Sequence, residues 1–222
     1  MMKRVGVLLS GCGVYDGAEI HESVLTLLAI DKAGAESVIL APNIQQMHTI
    51  DHLSGQEVNA DRRNVLVESA RIARGNIQDV KEADAQTLDA LILPGGFGAA
   101  KNLCTFAIEG AKCNINPEVQ RLLLEMLEAR KPIGAACIAP AVLARALKDH
   151  GPHLKLTIGN DRGTAEALEA MGAIHVECAV DDIVVDREHR VVSTPAYMLA
   201  TRISQVETGI EKLVREVLKF VA

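Results

Sequence analysis

Tryptophan is absent, and phenylalanine and tyrosine together supply only five of the 222 residues. A core must therefore be filled by Ala, Val, Leu and Ile, which suits a parallel sheet covered by helices. No basic block occurs anywhere. Lys and Arg number 23 against 29 Asp and Glu, a formal charge of −6, and this balance argues against a nucleic-acid partner. From Met1 the chain runs straight into Arg4-Val5-Gly6-Val7-Leu8-Leu9 without an apolar stretch long enough for a signal peptide or a membrane span. The expectation is a cytoplasmic protein that does not engage membranes, or a mitochondrial one if a presequence has been removed. The five cysteines, Cys12, Cys104, Cys113, Cys137 and Cys178, are odd in number and lack paired metal-site spacing, so reduced thiols are expected. Neither a His-rich pair nor an acidic cluster at helical spacing suggests a metal, and no cofactor is expected. Repeats, low-complexity tracts and linkers are also missing. With 49% hydrophobic and 23% charged residues, residues 1–222 read as one domain with a sizeable core.

What is present is an alternation of short apolar runs with longer segments of helical period, the mark of an α/β, doubly wound, mostly parallel sheet with helices on both faces. The runs are Val5 to Leu9, Val38 to Leu40, Ala90 to Leu93 and Ile133 to Ala136. Between the first two, Ile20, Val24, Leu27 and Leu28 recur at helical spacing within Glu19 to Ala33, and Gly34 ends the helix. Val119, Leu122, Leu123, Met126 and Leu127 form a second stripe, opened by Pro117. Ile203, Val206, Ile210, Leu213, Val214 and Val217 form a third. Two stretches read as insertions: 43–75, with a hairpin and a short helix, and 101–116. Ile183-Val184-Val185 and Val191-Val192-Ser193 flank a polar turn as in a β-hairpin.

Three elements carry candidate chemistry. In Gly134-Ala135-Ala136-Cys137-Ile138-Ala139-Pro140-Ala141 an apolar strand ends at a cysteine and a helix starts within three residues. This is the grammar of a nucleophile elbow, whose strained turn admits only small residues two before and two after the nucleophile, here Ala135 and Ala139. The positive end of the following helix is expected to lower the thiol's pKa. In Leu93-Pro94-Gly95-Gly96-Phe97-Gly98, paired glycines after a strand let backbone N–H groups turn inward; with the N–H of Ile138 they form a candidate oxyanion hole. Neither this segment nor Ser10-Gly11-Cys12-Gly13 matches a nucleotide-binding motif. The third element, Gly17-Ala18-Glu19-Ile20-His21-Glu22-Ser23-Val24, offers two carboxylates three apart on one helix face, Glu19 and Glu22. All three follow sheet strands, so a doubly wound fold brings them to one crevice at the carboxyl edge. Tyr15, Phe97 and Tyr197 follow strands at the same edge and are candidates to line it, and Cys12 is a candidate neighbour of Cys137.

These segments, together with Leu9-Ser10-Gly11-Cys12-Gly13-Val14-Tyr15-Asp16-Gly17, Pro94 to Leu103, Cys137-Ile138-Ala139-Pro140 and Thr194-Pro195-Ala196-Tyr197-Met198-Leu199-Ala200, resemble the class I glutamine-amidotransferase-like superfamily, which includes PfpI-type proteins and the Parkinson-associated deglycase. The resemblance is closer to its ElbB branch, described as glyoxalases and, in mitochondria, as ES-one-type proteins. It implies a flavodoxin-like fold with Cys137 as nucleophile, Glu22 rather than Glu19 as the carboxylate beside it, Gly95 and Gly96 as oxyanion glycines, and Ile138 as the amide after the nucleophile. Homodimers are common in the superfamily, and the two insertions are candidate contact surfaces. Where many relatives carry a histidine, this chain has Leu156-Thr157-Ile158-Gly159-Asn160; His175-Val176-Glu177 imitates an H-x-E motif but precedes the final hairpin.

A cysteine and a carboxylate without a histidine point to slow, cofactor-free conversion of a small aldehyde: glyoxal to glycolate, or methylglyoxal to lactate, through a cysteine hemithioacetal. Glu22 suits that chemistry if burial raises its pKa towards neutrality. The rival readings are a redox sensor or regulatory binding protein built on Cys137, a protein deglycase, and an amidotransferase-like hydrolase.

Overall fold

Alternation within the short aliphatic strands decides the layering. Val5, Val7 and Leu9 enter one apolar cluster and Leu8 the other, as expected when successive side chains point to opposite faces of a sheet buried on both. The computed structural model describes residues 2–58, 60–149 and 151–221. The strands are β1 (Arg4–Leu8), β2 (Glu36–Ala41), β3 (Ile50–Asp51), β4 (Gln56–Glu57), β5 (Gln78–Asp79), β6 (Ala90–Leu93), β7 (Ile133–Ala136), β8 (Lys155–Leu156), β9 (Ile174–His175), β10 (Val184–Asp186) and β11 (Val191–Thr194). The helices are α1 (Ile20–Lys32), α2 (Val65–Ile72), α3 (Phe106–Glu109), α4 (Pro117–Glu128), α5 (Pro140–Leu147), α6 (Arg162–Ala170) and α7 (Ile203–Phe220).

The main sheet has the order β10-β11-β7-β6-β1-β2-β5. Its pairs are parallel except β10 with β11, the expected terminal hairpin. The flavodoxin-like, doubly wound class is thus the observed one. The chain passes outward from β1 to β2, then returns to β6 on the other side of β1, so the order reverses there, and such a point opens a crevice beyond the carboxyl ends of the strands. Helices α1 and α7 pack together on one face; α4, α5 and α6 cover the other. The first insertion contains the β3–β4 hairpin and α2, and β8 and β9 form a small parallel pair of their own.

The stripes of α4 and α7 are buried as the sequence suggests, apart from Leu127 near the end of α4, which is half-buried, and Ile203 at the start of α7, which is exposed. That of α1 is not. Its buried residues are Glu22, Ser23, Thr26, Ala29 and Ile30; of the expected stripe, Leu27 is half-buried against the core, whereas Ile20, Val24 and Leu28 face outward. Spacing locates the helix correctly and its inner side wrongly, because the side facing the sheet carries the polar groups of the site.

Candidate active site

The turn after β7 is a true elbow. Cys137 has φ 58, a left-handed conformation that costs a non-glycine residue about 1 kcal/mol. The turn is held by the Cys137 N–H donating to the Thr194 carbonyl at 3.0 Å and the Ala139 N–H donating to the Ala136 carbonyl at 3.0 Å. Cys137 is buried, at 8% exposure.

Glu22 lies against this sulfur, completely buried. Its Oε2 accepts from the Gly95 N–H at 2.8 Å and its Oε1 from the Tyr197 N–H at 3.2 Å. The Cys137 thiol donates a third hydrogen bond to the carboxylate. Removal from water, with the neighbouring Glu19 charge second, pushes the Glu22 carboxyl up to about 7 against the lowering pull of these three donors. Glu19 plays a different part, since its Oε2 caps the helix by accepting from the Glu22 N–H at 2.7 Å.

The glycines are required by close approach. A Cβ on Gly95 would stand 2.5 Å from the Cβ of Cys137 and 2.8 Å from Glu22 Oε2. Gly96 has φ 90, and a Cβ there would stand 2.5 Å from the Gly17 carbonyl oxygen. The two N–H groups then part company. That of Gly95 is committed to Glu22, while those of Gly96 and Ile138 point at the Cys137 sulfur. The N–H groups of Gly96 and Ile138 thus face the sulfur, and that of Gly95 faces the carboxylate.

The expected lowering of the thiol does not occur. Burial, then the Glu22 charge, push the Cys137 thiol well above its ordinary value, and the amides of Gly96 and Ile138 offset only part of this. Whatever the positive end of α5 contributes is outweighed by removal of the sulfur from water and by the Glu22 carboxylate beside it.

Other candidates lie elsewhere. The Nε2 of His175 accepts from the Ile158 N–H at 3.4 Å in the β8–β9 region, and the Glu177 side chain is exposed. Cys12 is influenced by Glu68 and Arg71 of α2, and burial raises its thiol. Tyr15 packs on His52 with ring centroids 5.0 Å apart, and Lys101 lies 5.4 Å over the Phe97 ring. Of the three aromatics, Tyr197 donates its N–H to Glu22. Sequence reasoning missed this amide and also His21, whose Nδ1 lies 2.7 Å from the Tyr197 hydroxyl. Among the described residues no group of three or more metal-ligating side chains gathers, and no helix is long and apolar enough to cross a membrane.

No family model matches the chain. The human glutamine amidotransferase-like class 1 domain-containing protein 3, mitochondrial, is 48% identical over 225 residues, covering 97% of this chain and 82% of that protein. The mitochondrial ES1 protein homolog of Rattus norvegicus is 46% identical over 225 residues, covering 97% and 83%. Among solved structures, an isoprenoid biosynthesis protein with amidotransferase-like domain from Ehrlichia chaffeensis superposes with a TM-score of 0.90 at 37% identity, covering 98% of this chain and 99% of the other.

Proposed function

The chain belongs to the glutamine amidotransferase-like class 1 domain family, and on that premise we propose that it is a cofactor-independent glyoxalase converting glyoxal, and methylglyoxal less readily, to the 2-hydroxy acid. The observation that carries this reading is the Glu22 carboxyl, completely buried beside the Cys137 thiol, where loss of water pushes it up to about 7. A carboxyl poised there both takes and returns a proton at working pH. Hydrolytic relatives need a histidine to do this, and the hydrogen bonds to the Glu22 carboxylate come from Gly95, Tyr197 and Cys137 instead.

The thiol proton passes to Glu22 as sulfur adds to one aldehyde carbon of glyoxal, and the new oxyanion sits against the N–H groups of Gly96 and Ile138. The oxyanion takes the proton from Glu22, giving a hemithioacetal. Glu22 then removes the C–H proton from the same carbon, forming an enediolate; the hydroxyl proton of that carbon passes to the neighbouring oxygen, and Glu22 returns its proton to the neighbouring carbon as the thioester carbonyl forms. The product of that shift is a glycolyl thioester, and water cleaves it to glycolate and the free thiol. No electrons leave the substrate, so no redox cofactor is required. Because nothing beyond backbone amides and one tyrosine orients the pair, turnover is slow. A thiol buried this deeply is more easily reached by a two- or three-carbon aldehyde than by a glycated protein. Burial and a raised thiol also disfavour a peroxide sensor, which works through an exposed thiolate. The names of the human and rat relatives support the mitochondrial address of the two read from the sequence.

The test is a purified-protein assay with glyoxal, methylglyoxal and glutamine. Wild type forms glycolate, Cys137→Ala forms none, and Glu22→Gln loses at least about 100-fold in kcat. Glycolate formation that survives Cys137→Ala sinks the mechanism. Ammonia from glutamine instead makes the protein an amidotransferase-type hydrolase.

A further inference from the structure

The two oxygens of Glu22 are held by donors from different strand ends, and the two supports are anchored unequally. Gly95, after β6, is tied on both sides: its N–H reaches Glu22 Oε2 at 2.8 Å and its carbonyl accepts from the Glu19 N–H at 3.0 Å. Tyr197, after β11, sits in the three-residue 3-10 turn Ala196–Met198, which has no side-chain cap and is entered through Ala196 at φ 44. An alanine in that region is disfavoured and persists only when its surroundings hold it. One contact ties the turn's side chain to the first turn of α1: the Tyr197 hydroxyl lies 2.7 Å from His21 Nδ1, with the ring centroids 5.8 Å apart. His21 is the chain neighbour of Glu22, so this bond and the Tyr197 N–H join the same turn to neighbouring residues of α1. Burial, then the charges of Glu19 and Glu22, raise the Tyr197 phenol, which keeps its proton available for donation.

We propose that Tyr197 is a positioning residue for Glu22, and that its hydroxyl bond to His21 is the latch that keeps the Tyr197 N–H on the carboxylate. This rests on the reading of Cys137 and Glu22 as an acid–base pair. The titratable groups facing Glu22 are Glu19 and His21 from its own helix turn, the Cys137 thiol from the elbow, and the Tyr197 phenol from the turn after β11. An N–H donor favours the charged carboxylate, so losing it makes Glu22 hold its proton more tightly. Where two groups share one proton, that change has a particular signature. The pair gives up its first proton at higher pH. Above that point a larger share of the remaining negative charge resides on sulfur. Below it, the thiolate fraction is unchanged, because there it depends only on the sulfur's own affinity beside a neutral carboxyl.

The experiment measures the rate of Cys137 alkylation by iodoacetamide, followed by the mass of the labelled peptide, across pH 5 to 10. In Tyr197→Phe the break moves upward by about half to one pH unit and the plateau rises about 3- to 10-fold, with the acid limb unmoved. His21→Ala reproduces this profile, and His21→Gln, which retains an acceptor for the hydroxyl, returns towards wild type. A Tyr197→Phe profile that superimposes on wild type overturns the proposal. So does a curve lifted equally at every pH, which reports better access to the sulfur rather than a repositioned carboxylate. A wild-type profile without a break removes the acid–base pair itself and this role with it. Failure to turn over glyoxal, by contrast, leaves the alkylation profile as it is.

Discussion

Helices α1 and α7 lie side by side on the same face of the sheet and use their sides in opposite ways. α7 buries Val206, Ile210, Leu213, Val214 and Val217 at no more than 1% exposure. α1 buries Glu22, Ser23 and Thr26 and leaves Ile20, Val24 and Leu28 at 43%, 49% and 41% exposure. The hydroxyls on its inner side are satisfied within the helix, Ser23 donating to the Glu19 carbonyl and Thr26 to the Glu22 carbonyl, each at 2.7 Å. Only Glu22 remains as a buried group whose charge is opposed by its surroundings. Transfer of apolar surface from water orients α7, whereas α1 buries Ala29 and Ile30 at one end and the polar groups of the site at the other.

The contrast breaks most visibly in α7. Leu213 fills the space over Gly134 in β7, where a Cβ would come within 2.7 Å of its Cδ2. Leu213→Ala removes that filling and is expected to cost about 2 to 5 kcal/mol by urea denaturation. Glyoxal turnover per folded molecule stays within about twofold, since α7 supplies nothing to the reaction. A variant that kept its stability and lost turnover would show that the division of labour between the helices is false.

Glu22→Gln should do the reverse. The folded-state carboxyl is raised from 4.5 to about 7, so between those values the native protein holds a proton that the unfolded chain has released. Stability from this group is fully present below about pH 4.5 and is lost as pH rises through about 7. Gln carries no such dependence, although its NH2 faces one N–H donor and loses that bond. The stability of Glu22→Gln relative to wild type should therefore improve between pH 5 and 9, by at most about 3 kcal/mol. Parallel urea curves for the two proteins measure it, and a gap that stays constant with pH contradicts a neutral-range carboxyl.

The legibility of these regions in the sequence follows from the same division. The four aliphatic runs are four strands of the main sheet because burial on both faces leaves no ambiguity of side. The elbow is legible from Ala135 and Ala139, small residues where a left-handed cysteine tolerates nothing larger. The inner side of α1 is not, because Ile20, Val24 and Leu28 have helical spacing whether or not anything covers them. Spacing alone does not choose between Glu19 and Glu22. The structure gives them different partners, a helix cap for one and the sulfur for the other. The thiol's direction runs against the sequence expectation because a helix end is visible in sequence, whereas the depth at which the sulfur is buried and the carboxylate that folding brings beside it are not. Tyr197 is least legible of all, since its contribution to Glu22 is a backbone N–H delivered across 175 positions.

The smallest effect tests the outer side of α1. Val24 projects from the helix at 49% exposure and Val214 of α7 is covered at 1%, so the same change, Val→Ser, asks one question of two environments. At Val214 it removes buried methyl groups and leaves a hydroxyl among aliphatic neighbours, with an expected cost of about 2 to 4 kcal/mol. At Val24 the hydroxyl meets water, helix propensities of Val and Ser are close, and the change should stay within about 0.5 kcal/mol. Thermal melts at two protein concentrations read both. A Val24→Ser cost above about 1 kcal/mol that grows with concentration means that a second copy of the chain covers Ile20, Val24 and Leu28 in solution. In that case α1 would also be an ordinary amphipathic helix, with its apolar side turned to a neighbour because the site occupies the side facing its own sheet.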